Sequence, residues 1–305
     1  MTLSSRRSVD DPVGGSSSVA VCCPFPAAVS PYEPALHRYA TTWATRHGLL
    51  PTAHDVAVFD RARFAGLMAR AYPYASPADL SLAVAWLTVT FALDDHLESV
   101  LGRAPAAQRD LAAQILAYLR GGPPARALDR PLAAALADVW TRTRARTAAG
   151  WRERFIRHVA AYLAGNADEA DNRLAGRIPG VAEYVRLRRH TAATALFFDL
   201  AEVLGPAPAA AADPYAEAAL SLLRQHADNV VAWFNDLVSW PKEVAGGDPH
   251  NLVLVVRHEH RSTLAEAVAY VVARHDREVG AFVAAASELR DRRPDLDRSI
   301  SALEH

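Results

Sequence analysis

SPADLSLAVAWLTVTFALDDHLESV, residues 76–100, is apolar on nearly every face until it reaches Asp94, Asp95 and Glu98. Ser76 followed by Pro77 and Asp79 is a helix start: a side-chain oxygen for an orphan amide, then a ring already set for the first turn. A helix that is hydrophobic all round belongs in the middle of a bundle. A carboxylate cluster at the end of such a helix must be paired, protonated or bound to a cation where it meets the interior. Asp94 and Glu98 stack one turn apart and Asp95 lies one step round, so the cluster can offer oxygen ligands to Mg²⁺.

Outward from this stretch, helical spacing predicts segments at 35–47, 56–72, 107–119, 131–148, 151–174, 181–204, 214–244 and 263–289. Breaks fall at Gly121-Gly122-Pro123-Pro124, Ile178-Pro179-Gly180, Gly205-Pro206 and Gly246-Gly247-Asp248-Pro249. The picture is one all-α domain over 31–305, a helical bundle around a central apolar cavity. The first 30 residues, rich in Ser, Gly and charge, are expected to be a disordered leader.

Composition narrows the function. The 305 residues carry a net charge of -1, which gives no polyanion-binding signature and argues against nucleic acid. No stretch approaches ~20 uninterrupted apolar residues, so no membrane span is expected. Arg6-Arg7 resembles the start of a twin-arginine signal, but no long apolar run follows it. The only cysteines, Cys22 and Cys23, are neighbours, which excludes a disulfide framework and suits a reducing cytoplasm. They are expected to be inert and mobile. His258-Glu259-His260 is expected to be a solvated helix end, because i and i+2 do not face together.

A second oxygen-rich stripe follows. Asn235, Ser239 and Glu243 stand at i, i+4 and i+8, an amide, a hydroxyl and a carboxylate on consecutive turns. Asn and Ser add little to a salt-bridge face, whereas three oxygens can converge on one octahedral cation. Their low charge suits a metal whose other ligands are anionic phosphates. Pro241 removes the amide that would bond the Leu237 carbonyl, so a local bend is expected.

With these two motifs the chain resembles a bacterial class I terpene synthase, closest in wording to epi-isozizaene-type sesquiterpene cyclases. The likeness runs from the Trp43 helix to the Thr263 region and includes Pro179-Gly180-Val181-Ala182-Glu183-Tyr184-Val185-Arg186-Leu187-Arg188-Arg189-His190-Thr191 and His250-Asn251-Leu252. The resemblance implies a Mg²⁺-dependent lyase that ionises an isoprenyl diphosphate, most naturally farnesyl diphosphate, and cyclises the carbocation. It implies three Mg²⁺ ions, with Asp94, Asp95 and Glu98 on one side and Asn235, Ser239 and Glu243 on the other. Lys242 would reach the diphosphate, and an arginine would sense it. The Arg-Arg-x-Thr wording selects Arg188, while spacing back from Asn235 favours Arg189. Ala192-Ala193 stand where glycine is common at the helix break that relays ionisation. Phe91, Phe197 and Phe198, with Trp86 and Trp233, are candidates for the cavity wall that steadies passing positive charge.

The family's closing Arg-Tyr pair is not found between the second motif and His305, so the closing segment is expected to be missing from this sequence. The second motif argues against a chain-elongating prenyltransferase, which uses two Asp-rich motifs. Geranyl- or geranylgeranyl-diphosphate cyclases, and a non-catalytic prenyl-diphosphate-binding protein, remain as alternatives. Either a monomer or a homodimer fits.

Overall fold

The structure, a computed structural model, describes residues 6–9, 19–204 and 214–305. The described residues form thirteen α-helices and a two-stranded ribbon, grouped in two compact units.

The first unit comprises Ala27–Ala170, the segment from Leu196, and His305. It contains α1 (Glu33–Arg46), α2 (Ala53–Ala62), α3 (Phe64–Ala71), α4 (Pro77–Ser99), α5 (Pro105–Leu119), α6 (Arg130–Arg144) and most of α7 (Ala149–Ala175) and α9 (Thr194–Ala201). Helix α4 begins as its sequence dictates, with the Ser76 hydroxyl accepting from the Asp79 amide at 3.2 Å. Its interior hydroxyls are satisfied within the helix, Thr88 donating to the Val84 carbonyl at 2.8 Å and Thr90 to the Trp86 carbonyl at 2.9 Å. Alone among the described helices, α4 is long and apolar enough to cross a membrane; 61% of its most apolar window is buried inside the protein, as in a core helix. Around it, Trp86, Trp140 and Trp151 all pack against Phe155, with centroids 5.0 to 5.9 Å away. The segment expected at 56–72 is two helices, because Arg63 adopts a left-handed φ of 51°.

The second unit holds Asp171–Ala195, residues 214–304 and the N-terminal strands. Its helices are α8 (Val181–Thr191), α10 (Pro214–Gly246), α11 (Leu252–His260), α12 (Leu264–Arg292) and the short α13 (Asp297–Ala302). Tyr184, Trp233, Leu237, Leu252, Val256 and Val271 form its core. The segment expected at 181–204 is also split, here by Ala193 at φ 58°. Helix α10 continues through Pro241.

The N-terminal stretch and the grouping of the helices add detail to the expected picture. The supposed leader contains strand β1 (Arg6–Val9), paired antiparallel with β2 (Val19–Cys22). Val21 and Cys22 are buried, and the Cys22 amide donates to Asp276 at 2.8 Å, which ties this strand to α12. Short β-branched and apolar side chains pack well there, and the strand amide finds a carboxylate. Residues 1–5 and 10–18 of the expected leader lie outside the described residues. The helices of 31–305 group in two compact units, and the second also takes in strands β1 and β2.

Candidate metal centre

In the first unit, Leu93 and Leu97 turn one face of α4 inward, which leaves Asp94 half-buried and Asp95 and Glu98 exposed at the helix end. The Tyr162 hydroxyl, from α7, donates to Asp94 Oδ1 at 2.9 Å. Tyr162 is only 2% exposed. Burial, then the negative charges of Asp94, Glu169 and Glu98, push its phenol well above the usual tyrosine range. It therefore remains a neutral, obligate donor to Asp94.

The aromatic candidates divide. Phe91 is 43% exposed, one turn before Asp94, with its ring 4.7 Å from that of Phe64. Phe197 and Phe198 are half-buried on α9, and the Phe197 carbonyl accepts from the Tyr72 hydroxyl at 2.7 Å. Trp86 and Trp233 are buried side chains. The Trp86 indole donates to Thr143 at 2.8 Å, and Arg274 lies 4.8 Å over the Trp233 ring. Large aromatic area draws both inward, and the Trp86 indole N–H is satisfied there.

In the second unit, α10 presents Asn235, Ser239 and Glu243 along one stripe, as the spacing predicts. Asn251, the N-cap of α11, donates from Nδ2 toward this stripe: 3.4 Å to Ser239 Oγ and 3.3 Å to Glu243 Oε2. Burial holds the Glu243 carboxyl above its usual range, although the Ser239 hydroxyl opposes this. Lys242 is exposed beside it.

The two arginines are separated by their partners. Arg188 donates from Nε to Asp236 at 3.0 Å and from Nη2 to Asn235 at 2.7 Å. Arg189 points elsewhere, its Nε donating to Asn229 at 2.9 Å, while Asn229 donates to Glu278 at 2.6 Å. Only Arg188 therefore adjoins the motif. Ala192 caps α8 half-buried, and Ala193 is buried in the left-handed conformation that glycine adopts without strain.

Sequence reasoning missed three residues that organise these groups. Asp236 is 1% exposed and accepts from Tyr184 and the Leu252 amide, each at 2.9 Å, as well as from Arg188. Tyr162 and Asn251 are the other two. Asp236 adjoins Asn235 and Asn251 lies in the quoted His250-Asn251-Leu252, so position was legible and partnership was not. Glu259, expected to be merely solvated, accepts from the Val181 amide at 2.6 Å and so caps α8, whose own N-cap is Gly180.

Among the described residues, no three His, Cys, Asp or Glu side chains converge as a metal cluster. The donor chemistry nevertheless fits Mg²⁺. Each set supplies hard oxygens in small number, as expected where water and phosphate complete the octahedron. A cavity of about 240 Å³ lined by Tyr118, Leu128 and Leu136 contains none of these residues.

The family described as terpene synthase family 2, C-terminal metal binding, matches residues 85–280. Pristinol synthase of Streptomyces pristinaespiralis is 32% identical, over 100% of this chain and 83% of that protein. A (+)-T-muurolol synthase of Roseiflexus castenholzii, described as cyclising (2E,6E)-farnesyl diphosphate, is 37% identical over 85% of this chain and 79% of its own. Among solved structures, the linalool/nerolidol synthase of Streptomyces clavuligerus superposes with a TM-score of 0.78 at 27% identity, covering 92% of this chain and 94% of that one.

Proposed function

The chain belongs to the class I terpene synthase family, and from that premise we propose that it converts farnesyl diphosphate to a cyclic sesquiterpene with release of diphosphate. The observation that carries the reading is the Asn235, Ser239 and Glu243 stripe with Arg188 bonded to its first member. The substrate rests on the relatives, of which the muurolol synthase is described as acting on farnesyl diphosphate.

Asp94, Asp95 and Glu98 would hold Mg²⁺ from one motif, and Asn235, Ser239 and Glu243 from the other, with three ions in all. Bound Mg²⁺ supplies positive charge that stabilises the departing diphosphate. The chain's own residues do the rest. Arg188 offers a guanidinium of fixed charge, held beside the second motif by the buried Asp236 carboxylate and by Asn235, as the planar donor for phosphate oxygens. Lys242 adds a mobile ammonium. Tyr162 keeps its proton and holds Asp94 by one carboxylate oxygen. Phe91, Phe197 and Phe198 are the aromatic faces that can steady passing positive charge, by roughly 0.5 to 2 kcal/mol each. Exclusion of water keeps the cation from being quenched early. A cytoplasmic location belongs to the same reading.

The test is incubation with geranyl, farnesyl and geranylgeranyl diphosphates plus Mg²⁺, with volatile products identified by mass spectrometry. A cyclic sesquiterpene from farnesyl diphosphate is expected, abolished by chelator or by Asn235→Leu. Turnover that survives chelation, or only elongated linear diphosphates, would overturn it.

A further inference from the structure

Asn251 is placed to serve the second motif without belonging to it. It is fully buried, so both ends of its amide need partners. Oδ1 accepts from the Val253 amide at 2.9 Å, which makes it the cap of α11. Nδ2 faces three oxygens of α10: the Asp236 carbonyl at 2.9 Å, Glu243 Oε2 at 3.3 Å and Ser239 Oγ at 3.4 Å. One short bond anchors the amide to the helix, and two long ones reach the side chains proposed as ligands.

We propose that Asn251 is a positioning residue that pre-sets Ser239 and Glu243 to receive Mg²⁺. The inference rests on the metal-binding reading given above. An amide suits this role better than a lysine or arginine. It orients a carboxylate and a hydroxyl without neutralising the charge that the cation needs. Its long contacts also yield readily when stronger ligation forms.

The segment carrying Asn251 is itself pinned. Asp248 accepts from the His250 amide at 2.9 Å and from Arg173 at 2.9 Å. The far side of the His250 ring lies 3.2 Å from Asn172 Nδ2. The Tyr184 hydroxyl stands 3.1 Å from the His250 carbonyl oxygen. The donor is therefore delivered from a fixed support. Partners of this kind behind metal ligands set orientation, and their loss weakens metal binding about 10- to 100-fold.

The competing explanation is that Asn251 only caps α11, and three substitutions in the full chain separate the roles. Asn251→Ser and Asn251→Thr keep a capping oxygen but cannot reach Ser239 and Glu243; Asn251→Ala loses both functions. Each variant is titrated with Mg²⁺ in the presence of inorganic diphosphate, with binding read by calorimetry and by the ligand-induced rise in melting temperature. The half-saturating Mg²⁺ concentration is expected to rise about tenfold or more in all three, while the unliganded melting temperature falls mainly in Asn251→Ala. A midpoint that tracks the unliganded melting temperature, or one within about twofold of the parent in all three variants, would overturn the proposal. If the parent itself shows no Mg²⁺-dependent diphosphate binding, the metal reading fails and takes this inference with it. A parent that binds beside unaltered variants overturns the inference alone.

Discussion

Asp248 gives the fold a measurable acid sensitivity. It follows α10 on the connection to α11, where its carboxylate lies 2.7 Å from His250 Nδ1 and accepts from Arg173 at 2.9 Å. Burial alone would raise its pKa, but the hydrogen bonds of His250 and the charges of His250 and Arg173 outweigh burial and bring it down to about 2, from 3.8. A carboxylate with a depressed folded pKa contributes stability that is complete above its unfolded value and is lost as pH falls through the folded one. At about 1.36 kcal/mol per pKa unit, the gap amounts to about 2 kcal/mol, lost between about pH 4 and pH 2. The side chain is 23% exposed, so solvent screening trims this only in part. Asp248→Asn should therefore be less stable than the parent by about 2 kcal/mol near neutral pH, with the two converging as pH falls below about 4. Urea unfolding of both proteins at about pH 6, 4 and 3 measures the difference. A gap that stays constant through this range, or no gap at neutral pH, would refute the electrostatic account and leave Asp248 a surface residue with incidental partners.

Two further substitutions address the candidate site. Arg188→Gln should lower product formation by roughly 10²- to 10³-fold, because a preorganised cationic donor is lost from the leaving group. Arg189→Gln should mainly cost stability, about 1 to 3 kcal/mol, through its bond to the buried Asn229. Steady-state assays paired with unfolding curves decide between them, and the reverse ranking would move the sensor to Arg189. Tyr162→Phe keeps the ring and removes only the donor to Asp94, so half-saturating Mg²⁺ should rise about tenfold while the fold persists. Unchanged Mg²⁺ dependence in a folded Tyr162→Phe protein would remove Tyr162 from the site.

The helices were legible where local chemistry announces them. Ser76 and Thr263 begin α4 and α12 with a side-chain oxygen, and the unbroken apolar surface of α4 identified the centre of its bundle. The interruptions at Arg63 and Ala193 were not legible. Neither is glycine, and for other residues the left-handed conformation is disfavoured locally, so tertiary packing must impose it. Helix α11 was expected only at its end, His258-Glu259-His260, because its nine residues offer about two and a half turns of periodicity, although Asn251 is a conventional cap. Strand β2 was lost in a Ser- and Gly-rich context, since its partner strand and the Asp276 acceptor are set by pairing distant in sequence.

The site divides along the same line, for a physical reason. Asn235, Ser239 and Glu243 recur at the helical repeat, so one element brings them together and their spacing alone shows it. Their supports come from other elements: Asn251 from α11, Tyr184 and Arg188 from α8, and Tyr162 for Asp94 from α7. No periodicity links those positions, and a buried tyrosine or asparagine in a sequence reads first as core or cap. The two arginines show how far this matters. Adjacent residues of one type point about 100° apart on a helix, so α8 can aim only one of them at a given neighbour. Asp236, next to Asn235 on α10, takes Arg188, and Asn229, two turns earlier, takes Arg189. Wording selects Arg188 and spacing favours Arg189; the turn of α10 that carries the buried carboxylate sets Arg188 beside the motif.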